Sequence, residues 1–383
     1  MNQTCSEWIP ITLSRAAPVL VRVTTAWVTR VFLLSVSKGE EVVLGHQFRR
    51  SCLKLAAGLS AVAMSGLFME GAFAQANPPE RLASPVTISQ ISGADYHLDT
   101  VGKDVGILKK YNIELKENMA TVGGVAQMSI IVSGQVDTGD PGISATIISR
   151  SNGAPVTAVA AGYMAGGKFN FDTARYYVRS DSNIKTAKDL EGKRVAVMSV
   201  GATPDVALAV WLGKNGADNS KVQRVAIPYV NMVDALLNNQ VDVIGLFGLY
   251  YIPLEKSDNG PKVRMLFRDR DGLPTDKIYI GHVFTNEYIA KRPDVVKAYI
   301  AALKETAIWV QAHPEETLKI IADRYKLPRE NLALPAWPKN LCIDFAAAEE
   351  WVAGLQQVGQ VKKGALPPSS EWMTNKFNPD CPQ

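Results

Sequence analysis

Between Val86 and Thr285, short runs of branched apolar residues alternate with segments of helical spacing. No other feature narrows the fold as much. Val86-Thr87-Ile88-Ser89-Gln90-Ile91 alternates with period two and reads as a strand. The loop Ser92 to His97 and a helix ending near Lys110 follow it, and Asn112 to Leu115 is a second strand. Gly123-Gly124 opens a helix, and Val136-Asp137-Thr138-Gly139 starts the next strand. Pro155 to Ala160 and Arg175 to Val178 are further strands. The theme repeats with strands at Arg194 to Met198 and Val225 to Pro228, then a helix from Met232 to Asn239 capped by Asn231. From Asn286 onward the spacing is mostly helical. Strands and helices of this length in alternation predict an α/β chain with parallel-type sheets flanked by helices.

An internal echo predicts two such units. Gly134-Gln135-Val136-Asp137 and Asn239-Gln240-Val241-Asp242 each follow an apolar helix and open a strand. Gly and Asn both tolerate the left-handed conformation that ends a helix. No flexible linker divides the chain after a polar segment at 75–84, so the lobes should be joined by crossing strands. The expected division is 85–176 with 282–383 as lobe 1 and 177–281 as lobe 2, crossing near Arg175 to Arg179 and returning near Lys277 to Thr285.

Charge separates the leader from the body. Residues 1–74 carry seven Lys or Arg and four Glu, which leaves 34 basic against 33 acidic groups for 75–383. A nearly neutral body lacks the clustered cationic charge that nucleic acid requires. Residues 49–74 read as an export signal. Arg49-Arg50 precede an apolar stretch from Leu55 to Met69, and Ala72-Phe73-Ala74 offers the small residues that a signal peptidase reads. The apolar stretch is shorter than the ~20 residues a membrane span needs. Arg49 to Lys54 resembles a twin-arginine signal, with Cys52 where Phe is usual, so the twin-arginine and general secretory routes both stay open. Arg22 and Arg30 interrupt the earlier apolar run and disfavour a span there. Cys342 and Cys381 remain after cleavage. In an oxidising periplasm they can pair and fasten the tail, or stay as two thiols. No His, Asp, Glu or Cys spacing has metal-ligand character, and no cofactor is expected.

In open parallel sheets, ligands bind beyond the C-terminal ends of the strands. Four loops fall there: Ser92 to His97, Thr138 to Ser144, Ser199 to Thr203, and Phe247 to Tyr251. Ser199, Gly201, Ala202 and Thr203 precede a helix whose unpaired N–H groups suit an anionic head group, with Thr203 as its N-cap. Asp95, Tyr96 and His97 supply an acid, an aromatic wall and a titratable donor. Asp140, in the loop that ends at Ser144, either caps the next helix or meets a ligand amine, because a buried lone carboxylate is costly. Phe247 and Tyr250 offer flat apolar surface to a ligand body. Each of these also has an ordinary structural reading, as a cap, a loop residue or a core residue.

The residues also resemble a known family. Lys185-Thr186-Ala187-Lys188-Asp189-Leu190-Glu191-Gly192-Lys193-Arg194-Val195-Ala196 is similar to the segment that leads into lobe two of the periplasmic solute-binding proteins of nitrate, aliphatic-sulfonate and taurine ABC importers. That group shares its fold with thiamin-pyrimidine synthases. Asn239 to Asp242 with Phe247 and Tyr250, Gly123-Gly124 to Asp137, and Asn286 to Lys297 resemble further segments of it, together covering most of 85–330. Gly248 and Leu249 stand where relatives place an acid and a proline, and the loop Gly139 to Gly142 looks short, so the family's ligands do not transfer directly. The resemblance implies a two-lobed, type II-like periplasmic-binding-protein fold with the ligand cleft between the lobes. It implies a monomeric, non-catalytic receptor for a small organic anion or zwitterion, which closes on its solute and delivers it to an inner-membrane permease. The alternatives it implies are a receptor for a pyrimidine-like or aromatic heterocycle, or a synthase-type enzyme. That enzyme's chemistry requires iron and a cysteine-rich segment, which 75–383 does not carry. N-terminal sequencing of exported protein should begin at Gln75; any earlier residue would contradict the leader assignment.

Overall fold

The computed structural model describes residues 19–25, 28–34, 78–92, 97–119, 123–164, 172–272 and 281–382. The chain divides into two units, Met1–Ala74 and Gln75–Gln383. In the first, β1 (Val19–Thr25) pairs antiparallel with β2 (Val28–Leu34). The export segment lies outside the described residues.

The second unit is built on two five-stranded sheets. Its first four strands are β3 (Val86–Ser92), β4 (Ile113–Met119), β5 (Thr138–Gly139) and β6 (Val156–Ala161). The next five are β7 (Ala174–Arg179), β8 (Arg194–Val197), β9 (Gln223–Ala226), β10 (Val243–Phe247) and β11 (Val263–Arg268), and β12 (Gly281–Thr285) is the last. The order β4-β3-β5-β12-β6 in one sheet matches β9-β8-β10-β7-β11 in the other. Within each, the first three strands run parallel, as the alternation implies. The sheets are nevertheless mixed rather than purely parallel. β12 and β7 are antiparallel to both their neighbours, because each is the strand with which the chain arrives from the other sheet.

The sequence echo has a physical basis. Gly134 and Asn239 both adopt positive φ, 73° and 60°, and so end their helices in the left-handed conformation. The aspartate three residues later then clasps the neighbouring strand. Asp137 accepts from the Ser89 N–H at 2.7 Å, and Asp242 from the Arg194 N–H at 2.8 Å, each across 48 residues of chain.

The helices that carry the sheet-end loops and the main core are α1 (Leu98–Asp104), α2 (Gly124–Val132), α3 (Ile143–Ser151), α4 (Thr203–Lys214), α5 (Tyr229–Leu237), α6 (Gly248–Lys256), α7 (Pro293–Ala312) and α8 (Phe345–Gln357). Helix α5 begins earlier than its sequence suggests. Its N-cap is Pro228 rather than Asn231, since Pro228 already fixes the extended conformation from which the helix starts. The largest core joins the first sheet to the buried face of α7, to Trp351 and Leu355 of α8, and to Val206 and Val210 of α4. Two smaller cores lie on the faces of the second sheet. No helix among the described residues is long and apolar enough to cross a membrane.

Beyond α8 the tail returns to the first sheet. Ala158 of β6 donates to Trp372 and accepts from Thr374, at 2.9 Å each. Cys342 and Cys381 form a disulfide across 39 residues, resolving the pairing that the sequence left open. Closing a loop of that length removes unfolded-state entropy worth about 4 kcal/mol. The double variant Cys342→Ala, Cys381→Ala should therefore unfold at clearly lower denaturant than the oxidised chain; coincident transitions would show the bridge to be energetically idle.

Candidate functional site

Parallel strands followed by helices bring helix N-termini to one edge of each sheet. None of the six helices that follow the parallel strands has a side-chain cap, and three of those ends, at α2, α3 and α4, come together. The N-cap residues are Gly123 for α2, Gly142 for α3 and Ala202 for α4. By contrast, Thr285 and Asp344 cap their helices with side-chain oxygens. Each uncapped end leaves N–H groups unsatisfied by its own chain and carries the positive end of a helix dipole.

The three ends converge. Ser144, buried in the first turn of α3, and Thr203, buried at the start of α4, share a hydrogen bond of 3.0 Å between their hydroxyls. A methyl group on Gly142 would lie 2.2 Å from Thr203 Oγ1, and one on Gly123 would lie 2.7 Å from Ser199 Oγ. Glycine is thus required at both N-caps for elements of the first sheet to approach the loop after β8 this closely. The Ser199 hydroxyl has no hydrogen-bond partner among the described residues. Gly201 takes a positive φ of 81° and donates its N–H to Asp205 Oδ2 at 2.9 Å. The other oxygen of Asp205 accepts from Arg224 at 3.0 Å, so that carboxylate is engaged within its own half.

The sequence candidates therefore divide. Ser144, Ser199, Gly201, Ala202 and Thr203 come together, although Thr203 is not the N-cap. Ala202 takes that position, and the Thr203 hydroxyl reaches across to Ser144 instead. Asp95 and Tyr96 lie outside the described residues. Phe247 is buried in the main core, and Tyr250 packs on Tyr229 with ring centroids 4.9 Å apart.

His97 and Asp140 meet away from these hydroxyls. His97 Nδ1 lies 2.5 Å from Asp140 Oδ2, with both side chains buried. Asp140 does not cap α3, whose N-cap Gly142 makes no side-chain bond; the imidazole is its partner. Burial pushes the Asp140 carboxyl up, but the charge and hydrogen bond of His97 outweigh that and hold it below the usual range.

The sequence reading missed the neighbours of this pair. Asp99 is fully buried, bonded by the Thr100 N–H at 2.8 Å and the Tyr299 hydroxyl at 2.7 Å. Burial, then the charge of Asp140, push its carboxyl up to about 7. His282 is buried on β12, and burial lowers its imidazole to about 4. Gln90, on β3, is buried with neither amide atom partnered among the described residues. A visible signal existed: His282 is a polar residue in an otherwise apolar strand, and Gln90 falls in step with the apolar Val86 and Ile88 of β3.

Two sheets of this order, flanked by helices, have the periplasmic-binding-protein fold. Superposition agrees. The alkanesulfonate-binding protein SsuA of Xanthomonas axonopodis pv. citri, bound to MOPS, matches with a TM-score of 0.62 at 16% identity, over 76% of this chain and 100% of that one. A candidate binding protein of Brucella abortus is 25% identical over 255 residues, 66% of this chain and 75% of its own. The 4-amino-5-hydroxymethyl-2-methylpyrimidine phosphate synthase of Schizosaccharomyces pombe is 27% identical over 202 residues, 50% of this chain and 55% of its own. The NMT1/THI5-like family model matches residues 100–317, more than half of the chain, and the chain belongs to that family.

The His97–Asp140 pair carries a structural prediction. Removing one partner of a buried ion pair strands the other, at about 3–5 kcal/mol. Asp140→Ala should lower the denaturant midpoint accordingly, and an unchanged midpoint would mean that the pair contributes nothing.

Proposed function

We propose that this chain is the periplasmic solute receptor of an ABC importer, exported through the leader at 49–74 and acting as a monomer beside an inner-membrane permease. On this reading the body has two lobes, 85–176 with 282–383 and 177–281, each carrying one sheet. The solute is a small organic anion or zwitterion of the sulfonate, nitrate or taurine kind. One observation carries this reading: three uncapped helix N-termini and the hydroxyls of Ser144, Ser199 and Thr203 meet where the halves adjoin. An anionic head group accepts from such N–H and O–H donors without needing a fixed cation. Contact with both lobes favours the closed arrangement, because a ligand shifts an equilibrium only through its differential affinity for the two states.

A second reading keeps the receptor and changes the cargo. The tilted ring pair of Tyr229, opening α5, and Tyr250, in the first turn of α6, offers flat surface to a heterocycle, in line with the pyrimidine chemistry of the fission-yeast relative. A non-catalytic role is supported by the Brucella relative and by the cysteines at 342 and 381, which are tied to each other.

Isothermal titration of the purified chain against small sulfonates, nitrate, taurine, carboxylates and aminopyrimidines separates these readings. One anionic class should bind at one equivalent. Gly142→Ala, whose methyl would meet Thr203, should weaken that binding at least tenfold in protein that still folds, alongside some loss of stability from the displaced Thr203 hydroxyl. Binding by aminopyrimidines alone favours the second reading. Silence across the whole panel overturns both.

A further inference from the structure

The buried cluster around His97 and Asp140 has a composition that hydrogen bonding alone does not explain. One side-chain donor atom from each of His97, Asp99 and Asp140 lies within 4.8 Å of the others, and all three residues are buried. His282 approaches this group from β12, although it is not one of the three residues whose donors share that 4.8 Å spacing. Val283 pairs with Gly139, so the register carries His282 toward Asp140, and the imidazole interacts electrostatically with both Asp140 and His97. Its ring stands edge-on to Tyr299 at 5.9 Å between centroids, the tyrosine whose hydroxyl holds Asp99. Neither ring nitrogen of His282 has a hydrogen-bond partner among the described residues, nor does Asp140 Oδ1.

We propose that His97, Asp99, Asp140 and His282 bind one divalent transition-metal ion, with zinc preferred.

Three arguments converge. The first is charge: two buried carboxylates placed together repel, and a dication neutralises both where a single imidazolium neutralises one. The second is donor type. Two imidazole nitrogens with two carboxylate oxygens suit zinc and its first-row neighbours, whereas magnesium and calcium take oxygen ligands. The third is support from the outer shell. The Thr100 N–H and the Tyr299 hydroxyl orient the Asp99 carboxylate, as outer groups orient metal-ligating side chains.

The competing account is a His97–Asp140 ion pair with no metal. It satisfies one contact and leaves two nitrogens of a buried histidine unmatched, which is costly for each. Zinc bonds of about 2.0–2.2 Å place tetrahedral ligand atoms about 3.3 Å apart. The 2.5 Å contact between His97 and Asp140 would open by under about 1 Å, and the remaining donors would draw in.

The site stands independently of the solute reading, because its test reads metal rather than solute. The full chain is stripped with chelator, titrated with zinc, and analysed for bound metal by mass spectrometry; cobalt serves as a visible-spectrum probe. One equivalent should bind to folded protein, cobalt should give the d–d bands of a nitrogen/oxygen site, and zinc should raise the melting temperature reversibly. Tyr299→Phe, which leaves every proposed ligand in place, should weaken zinc about 10- to 100-fold. His282→Gln should weaken it at least as much, while His313→Ala, an exposed histidine outside the cluster, should leave it unchanged. Folded wild-type protein that takes up no stoichiometric zinc or cobalt overturns the assignment. So does equal binding by the Tyr299→Phe and His282→Gln variants, or loss of binding in His313→Ala.

Discussion

In each sheet the strand that runs against the others is an interior one. β12 lies between β5 and β6, and β7 between β10 and β11, hydrogen-bonded on both sides. An interior strand cannot leave without breaking two ladders at once, so the connection between the sheets is fixed at their centres rather than at their edges. The aspartate clasps act on the next strand pair inward: Asp137 fixes β5 to β3, and Asp242 fixes β10 to β8. Both sheets thus hold their central three strands by the same device, and the ends of those strands become firm mounts for the loops beyond them.

That rigidity explains why the uncapped helix ends are tolerated. Relative to a Ser, Thr, Asp or Asn cap, an Ala at the N-cap weakens the helix end by about 1 kcal/mol and a Gly by only a few tenths. Here the N-caps are Gly123, Gly142 and Ala202, none of which can supply an oxygen from its side chain. Glycine at two of them also allows the approach to Ser199 and Thr203 that any larger residue would block. Caps are missing from most of the helices, and Thr285 and Asp344 are exceptions, so what sets the three ends apart is the close approach that their N-cap residues permit.

Much of this was legible in the chain. The period of the strands, the left-handed Gly134 and Asn239, and the serine- and threonine-bearing loop after β8 follow from local rules, and local rules are what a sequence states directly. The direction of β7 and β12 was not legible, because it depends on which sheet a crossing segment joins. Thr203 looked like a cap for the same reason: nothing local shows that its hydroxyl is used by Ser144, 59 residues away. The buried cluster was least visible. Asp99 and Tyr299 are 200 residues apart, and His97 and Asp140 are 43 apart. Only strand register and the packing of α7 bring them together. What the sequence did show there was a polar residue at an apolar position of each of two strands, Gln90 and His282, a signal of burial without a statement of purpose.

On the proposed reading, recognition through neutral donors also suits a receptor that must give up its cargo. A helix end contributes roughly 0.3–1 kcal/mol to a nearby anion, up to ~2 in a partly buried setting. Three ends therefore supply up to about 6 kcal/mol, short of the roughly 8.2 kcal/mol that corresponds to a micromolar complex. The remainder has to come from the body of the solute and from contacts made only when both halves engage it. Affinity of that kind falls as soon as the halves separate, since each half alone keeps only part of the donor set: α2 and α3 on one side, α4 on the other. A fixed arginine in either half would hold the anion through opening. Hydroxyls and backbone N–H groups divided between two rigid sheets would release it.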